Sequence, residues 1–147
     1  MKKLISLGAL LFIFVGFCAS IIQAQNPESA AARVLLENYI KGHATGQGEY
    51  MRKAFHPDAR LQWYRDGKYQ TRTLDEFVAG FKGEVAPDEA GRKRRIESLD
   101  INGNAGMAKI VLDYPTVKFT DYMSLLKIGD EWKIVNKIFY AEQKPKP

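Results

Sequence analysis

The chain has 147 residues, a formal net charge of +5 and one cysteine. With 27% charged and 46% hydrophobic residues it has the make-up of a globular domain, which excludes a wholly disordered or wholly membrane-embedded chain. A single cysteine excludes an internal disulfide and any cluster of thiolate metal ligands.

The N-terminus reads as an export signal. Lys2 and Lys3 supply positive charge, and Leu4 to Phe17 is almost purely apolar. Small and polar residues follow through Cys18, Ala19, Ser20, Gln23 and Ala24. The apolar run is short of the roughly 20 residues that span a bilayer, which argues against a retained anchor. Cleavage is expected after Ala24, with Ser20 as the alternative. Residues 1–24 are then a secretory signal and residues 25–147 a single domain, periplasmic or secreted. Cys18 follows Phe17 rather than a small residue, so it reads as part of the signal and not as a lipid-modified cysteine. Its loss leaves a mature chain without cysteine. Loss of Lys2 and Lys3 takes two of the five surplus charges. The dense basic run Arg92-Lys93-Arg94-Arg95 reads as a solvated strand start. Export argues against a nucleic-acid partner.

Asn26-Pro27 opens a first helix, because Asn caps free backbone N–H groups and Pro at the first position forfeits none. Ala32, Leu36, Tyr39, Ile40 and His43 fall on one face of that helix. Glu37 and Lys41 form an i,i+4 pair on the other. Gly46 and Gly48 end it. A short second helix is expected over Glu49 to Ala54, and His56-Pro57-Asp58 reads as a turn. Arg60 to Arg65 and Lys68 to Arg72 flank Asp66-Gly67, a two-residue hairpin signal. Thr73-Leu-Asp-Glu76 is a capping box opening a third helix that carries Phe77, Val78 and Phe81. Four strands follow. Arg94 to Ile101 and Met107 to Pro115 flank Asn102-Gly103; Val117 to Ile128 and Glu131 to Ala141 flank Gly129-Asp130. Segregated helices and antiparallel strands make this an α+β chain of order α-α-β-β-α-β-β-β-β.

Phe55-His-Pro-Asp-Ala59, the Trp63-to-Gly67 hairpin, Thr73-Leu-Asp-Glu-Phe77, Asp121-Tyr-Met-Ser-Leu-Leu-Lys-Ile128 and Glu131-Trp-Lys-Ile-Val-Asn-Lys-Ile-Phe139 carry a resemblance to a known family. Together they resemble the nuclear-transport-factor-2-like (NTF2-like) superfamily, the cystatin-like α+β cone. Within it they are most similar to the small bacterial domains labelled putative lumazine-binding, with the SnoaL-like domains beside them. The resemblance implies a strongly bent antiparallel sheet wrapped around the long N-terminal helix, a pocket at the open end, and a homodimer through the sheet. It spans dehydratases, ketosteroid isomerases, polyketide cyclases and plain binding modules, so fold alone does not choose a function.

The last hairpin can be read in register. Strict alternation from the Gly129-Asp130 turn pairs Leu125 with Ile134, Met123 with Asn136 and Asp121 with Ile138. Asp121, Met123, Leu125, Trp132, Ile134, Asn136 and Ile138 would then share the buried face. The opposite face would hold Lys133, Val135 and Lys137. Asp121 and Asn136 would be diagonal polar neighbours on an apolar surface. A buried carboxylate suits acid–base chemistry. The structural alternative is a rim carboxylate paired with Arg72 or Arg94. His43 lies one turn beyond Tyr39 and is the other acid–base candidate, against a role as an ordinary histidine near a helix C-terminus. Trp63 shares a face with Leu61 and is a pocket-wall candidate. His56 reads as turn chemistry rather than a ligand. The two histidines lack metal-ligand spacing, so no metal and no cofactor are expected.

The leading expectation is an exported binding domain with an apolar, aromatic-lined pocket for an unidentified small molecule. Tyr39, His43, Trp63, Met123, Trp132 and Asn136 are its candidate ligand contacts. A cofactor-free dehydratase, isomerase or cyclase using Asp121 or His43 is the first alternative. An interaction domain working through the outer sheet face is the second.

Overall fold

A computed structural model describes residues 27–145 of the chain. The expected export segment and the Asn26 cap lie outside those residues.

Helix α1 runs Pro27–Thr45 and buries Ala32, Leu35, Leu36, Tyr39 and Gly42. Gly42 lets α2 (Gly48–Ala54) approach closely, since a Cβ there would lie 2.7 Å from Met51 Cε. Gly46 turns the chain between them at φ +68°, where a Cβ would collide with the Glu84 carbonyl. On the solvent side Glu37 pairs with Arg33, and the expected partner Lys41 instead stands over the Tyr50 ring.

Strands β1 (Phe55–Arg65) and β2 (Lys68–Thr73) form the expected hairpin. Asp66 and Gly67 both take positive φ, the requirement of a type I′ turn. The capping box also forms. Thr73 Oγ1 accepts from the Glu76 amide, and Glu76 returns a carboxylate oxygen to the Thr73 amide at 2.7 Å, opening α3 (Leu74–Val78). After a single 3-10 turn at Glu89–Gly91 come β3 (Lys93–Asn102), β4 (Ala105–Asp113), β5 (Val117–Ile128) and β6 (Glu131–Gln143).

The six strands make one sheet in the order β2-β1-β6-β5-β4-β3. It is mixed rather than wholly antiparallel, because β1 and β6 pair in parallel. His56-Pro57-Asp58, expected as a turn, lies inside β1. The β1–β6 register shifts between Phe55 and Arg60, so proline sits where the ladder is already interrupted and its missing N–H removes no required bond. Helix α1 packs on β3 and β6, while α3 packs on β1 and β2. The core between α1 and the sheet includes Leu36, Tyr39, Phe55, Leu61, Ile110, Met123, Leu125 and Ile134.

The last hairpin departs from strict alternation. Leu125 pairs with Ile134 as expected, but Ser124 then pairs with Asn136, leaving Val135 as an extra residue on β6. Such a bulge reverses which side chains face the core beyond it. Met123 therefore pairs with Lys137, and Asp121 with Phe139. The core face of β6 reads Trp132, Ile134, then Lys137. Asn136 leaves the buried face and becomes half-buried between Ser124 of β5 and Arg60 of β1.

Candidate functional site

The bulge brings a lysine into the core beside the carboxylate that lacked a partner. Asp121 is fully buried and Lys137 is 5% exposed. Lys137 Nζ donates to Asp121 Oδ1 at 3.3 Å and to Tyr39 Oη at 3.0 Å. Tyr39 Oη in turn donates to Asp121 Oδ2 at 2.6 Å. Three side chains from α1, β5 and β6 thus close a small hydrogen-bonded ring. Asp121 is neither on the rim nor paired with Arg72 or Arg94.

Burial sets the electrostatics of this ring. Loss of solvent pushes the Lys137 ammonium below its ordinary range, and the neighbouring Asp121 charge opposes that shift in part. Burial, with the Asp121 charge beside it, holds the Tyr39 phenol well above its usual value. The lysine is enclosed by rings: Nζ lies 4.7 Å from the centroid of Phe139, 5.3 Å from Phe77 and 5.4 Å from Tyr39.

Lys137 also lines a cavity of about 240 Å³. Its walls are Trp63, Phe77, Tyr114, Phe119 and Phe139, with Leu61 and Leu112 between them. Trp63 stacks on Phe139 at a centroid distance of 5.2 Å. Two exposed arginines, Arg65 and Arg72, complete the lining, and Arg72 stands 5.4 Å from the Trp63 ring. His43 reaches the same cavity from α1. Its Nε2 is buried and has no hydrogen-bond partner. Burial first, then the charges of Lys137, Arg94 and Arg92, hold this imidazole neutral well below its ordinary range. An orphaned buried nitrogen costs stability. A ligand hydroxyl, amine or carbonyl-type group would satisfy it.

The sequence candidates therefore separate in space. His43 and Trp63 line the cavity, and Tyr39 touches it through Lys137. Met123 is fully enclosed in the core. Trp132 lies at the other end of α1, donating from Nε1 to Glu28 at 2.9 Å. At 1.5 Å per residue that is about 22 Å along the helix from His43. Sequence alternation missed Lys137 and Phe139, and Phe119, which shares the face of Asp121 by alternation, was not among the candidates. One signal was present: a buried Asp121 demands a cationic neighbour, and Lys137 on the adjoining strand can serve only if a residue is skipped.

A second ion pair, Arg94 with Glu89, is partly buried and lies beside the cavity residues Tyr114 and His43. Two guanidinium nitrogens donate to the two Glu89 oxygens at 2.6 and 2.7 Å, a bidentate pair. Arg94 also donates to Tyr114 Oη and to the His43 carbonyl near the end of α1. Two further members of the basic run are paired, Arg92 with Asp88 and Arg95 with Glu97. Among the described residues, no three His, Cys, Asp or Glu side chains converge as metal ligands, and no helix is long and apolar enough to cross a membrane.

The comparisons with known proteins agree with this architecture. An NTF2-like protein of unknown function from Shewanella baltica superposes with a TM-score of 0.73 at 26% identity, covering 82% of this chain and 98% of that one. Another, from Silicibacter pomeroyi, gives a TM-score of 0.69 at 21% identity over 79% of this chain and 97% of its own. Among curated proteins, aldolase FrzH of Cladobotryum sp is 22% identical over 105 residues, 70% of this chain and 82% of that protein. Residues 27–140 match the family described as "Putative lumazine-binding". The chain belongs to that family and has the NTF2-like, cystatin-like fold.

Proposed function

We propose that this chain is an exported domain that binds a small molecule in the cavity between Trp63 and Lys137. One observation carries the reading: an aromatic-walled space holds a buried, unpartnered His43 Nε2 and a buried Lys137 among its lining groups. A largely apolar pocket with a few convergent polar groups is the usual form of a ligand site. The ligand it suits is flat and partly apolar, with a polar group directed at His43 and Lys137. The three-part N-terminus supports export, and family membership supports a small-molecule ligand. Native mass spectrometry of protein purified from its own cell envelope tests the reading. A co-purified small molecule that Trp63→Ala releases supports it. A ligand retained by Trp63→Ala and displaced only by changes around Trp132 contradicts it.

A cofactor-free enzyme is the second reading. The 2.6 Å Tyr39–Asp121 bond and the likeness to an aldolase favour it. Here Asp121, with Tyr39 and Lys137, would move protons during a dehydration, isomerisation or cyclisation, and His43 would orient the substrate. Loss of turnover in Asp121→Asn with binding intact supports this reading, whereas unchanged turnover removes it.

The expected homodimer is proposed through the outer face of the sheet. Tyr64, Tyr69, Tyr122, Ile138 and Tyr140 are all exposed there, and Tyr64 pairs directly with Tyr69. Light scattering should give a dimer mass that Tyr140→Asp halves.

A further inference from the structure

We infer that Lys137 is an amine nucleophile, placed to condense with the carbonyl of an aldehyde or ketone ligand in the cavity and form an imine. The inference rests on the reading of the cavity as a ligand site and names the chemistry it supports.

The geometry supplies each requirement. The lysine lines the cavity, and its nitrogen lies among the faces of Phe77, Phe139 and Tyr39. The ring faces attract a cation, but exclusion of water outweighs them and favours the uncharged amine, the form that attacks carbonyl carbon. Burial lowers the lysine's proton affinity accordingly. Asp121 Oδ1, 3.3 Å away, is placed to receive the ammonium proton, and Tyr39 Oη touches both groups. A purely structural ion pair makes different demands. The partly buried pair of Arg94 with Glu89 uses an arginine, which is permanently charged and bidentate. At position 137 the chain uses the one strong cation that can become a nucleophile.

The step balances without any other reactant. Lys137 passes one proton to Asp121 and its lone pair forms a C–N bond to the carbonyl carbon, while the C=O π pair moves to oxygen. A proton crosses from nitrogen to that oxygen, by way of Tyr39 Oη, giving a carbinolamine. Asp121 returns its proton to the hydroxyl, which departs as water, and the nitrogen lone pair closes the C=N bond. The product is an iminium facing an ionised Asp121, so the charge of the site is unchanged.

Benzaldehyde is a suitable probe, being flat and apolar with one carbonyl. The purified full-length protein is treated with benzaldehyde and cyanoborohydride near neutral pH, then digested and mapped by mass spectrometry. The expected result is a benzyl adduct on Lys137 before adducts appear on surface lysines. Lys137→Arg, which keeps the ion pair but cannot form an imine, should lose that adduct while keeping its circular dichroism spectrum. Benzyl alcohol, which cannot condense, reports the pocket independently through quenching of Trp63 fluorescence, assigned by its loss in Trp63→Phe. Quenching by benzyl alcohol without early labelling of Lys137 overturns the imine inference and leaves the binding reading standing. Absence of both quenching and labelling overturns both.

Discussion

Two ion pairs lie beside the same cavity, one buried and one partly buried, and differ in kind. Arg94 and Glu89 meet at the sheet's β3 edge through two parallel hydrogen bonds, and Arg94 also holds Tyr114 and the end of α1. Lys137 and Asp121 meet in the middle of the sheet through one longer contact, with Tyr39 bridging them. The first pair uses a cation that stays charged in any protein environment. The second uses one whose charge burial already opposes. Permanent charge and fixed geometry suit a clamp, whereas adjustable charge beside a cavity suits recognition or chemistry.

The sharpest way to break the comparison is to remove one member of the inner pair. Lys137→Met leaves Asp121 buried without its cation and should cost about 3–5 kcal/mol, read from chemical denaturation. Combining Lys137→Met with Asp121→Leu should recover most of that loss, because two apolar groups replace a fully desolvated pair. At the edge, Glu89→Gln should cost less, about 1–3 kcal/mol, since Glu89 is partly solvated and water can replace it.

Acid separates the regions by where stability begins to fall. His43 is held neutral in the fold, so the unfolded chain binds its proton first. Its contribution is complete above the ordinary histidine value of 6.5 and is lost as pH falls below it. The loss cannot exceed about 1.4 kcal/mol per pH unit for one proton. Glu89 is held ionised by Arg94, so its contribution is present above 4.5 and disappears only as pH falls below that. Stability curves of His43→Phe should lack the earlier acid limb, and those of Glu89→Gln should retain it. The smallest effect is expected from Arg94→Lys, which gives up the bidentate contact and should cost about 1 kcal/mol.

The contrast also shows what a sequence reveals. The capping box at Thr73 and Glu76, the Asp66-Gly67 turn and the α1 face are local chemistry and were legible, although Leu35 and Gly42 also belong to that face. The parallel pairing of β1 with β6 was not, because it joins segments some 75 residues apart with no local signature. The bulge at Val135 was hidden for another reason. Neither glycine nor proline marks it; the trace it leaves is slight, the alternation of Glu131 to Ile134 breaking where Val135 adjoins Ile134 and Lys137 follows Asn136. One extra residue exchanged Asn136 for Lys137 on the core face. Asp121 was thus found in advance, and its partner was placed on the wrong side of the sheet.

On the proposed reading, the cavity holds polar groups that a ligand would satisfy. The most direct measurement is long-range proton–nitrogen NMR of the His43 ring, across pH and with added benzyl alcohol. The imidazole should stay neutral well below pH 6.5, and its Nε2 resonance should move when the alcohol is added. A ring that titrates near 6.5 and ignores the alcohol would contradict that reading.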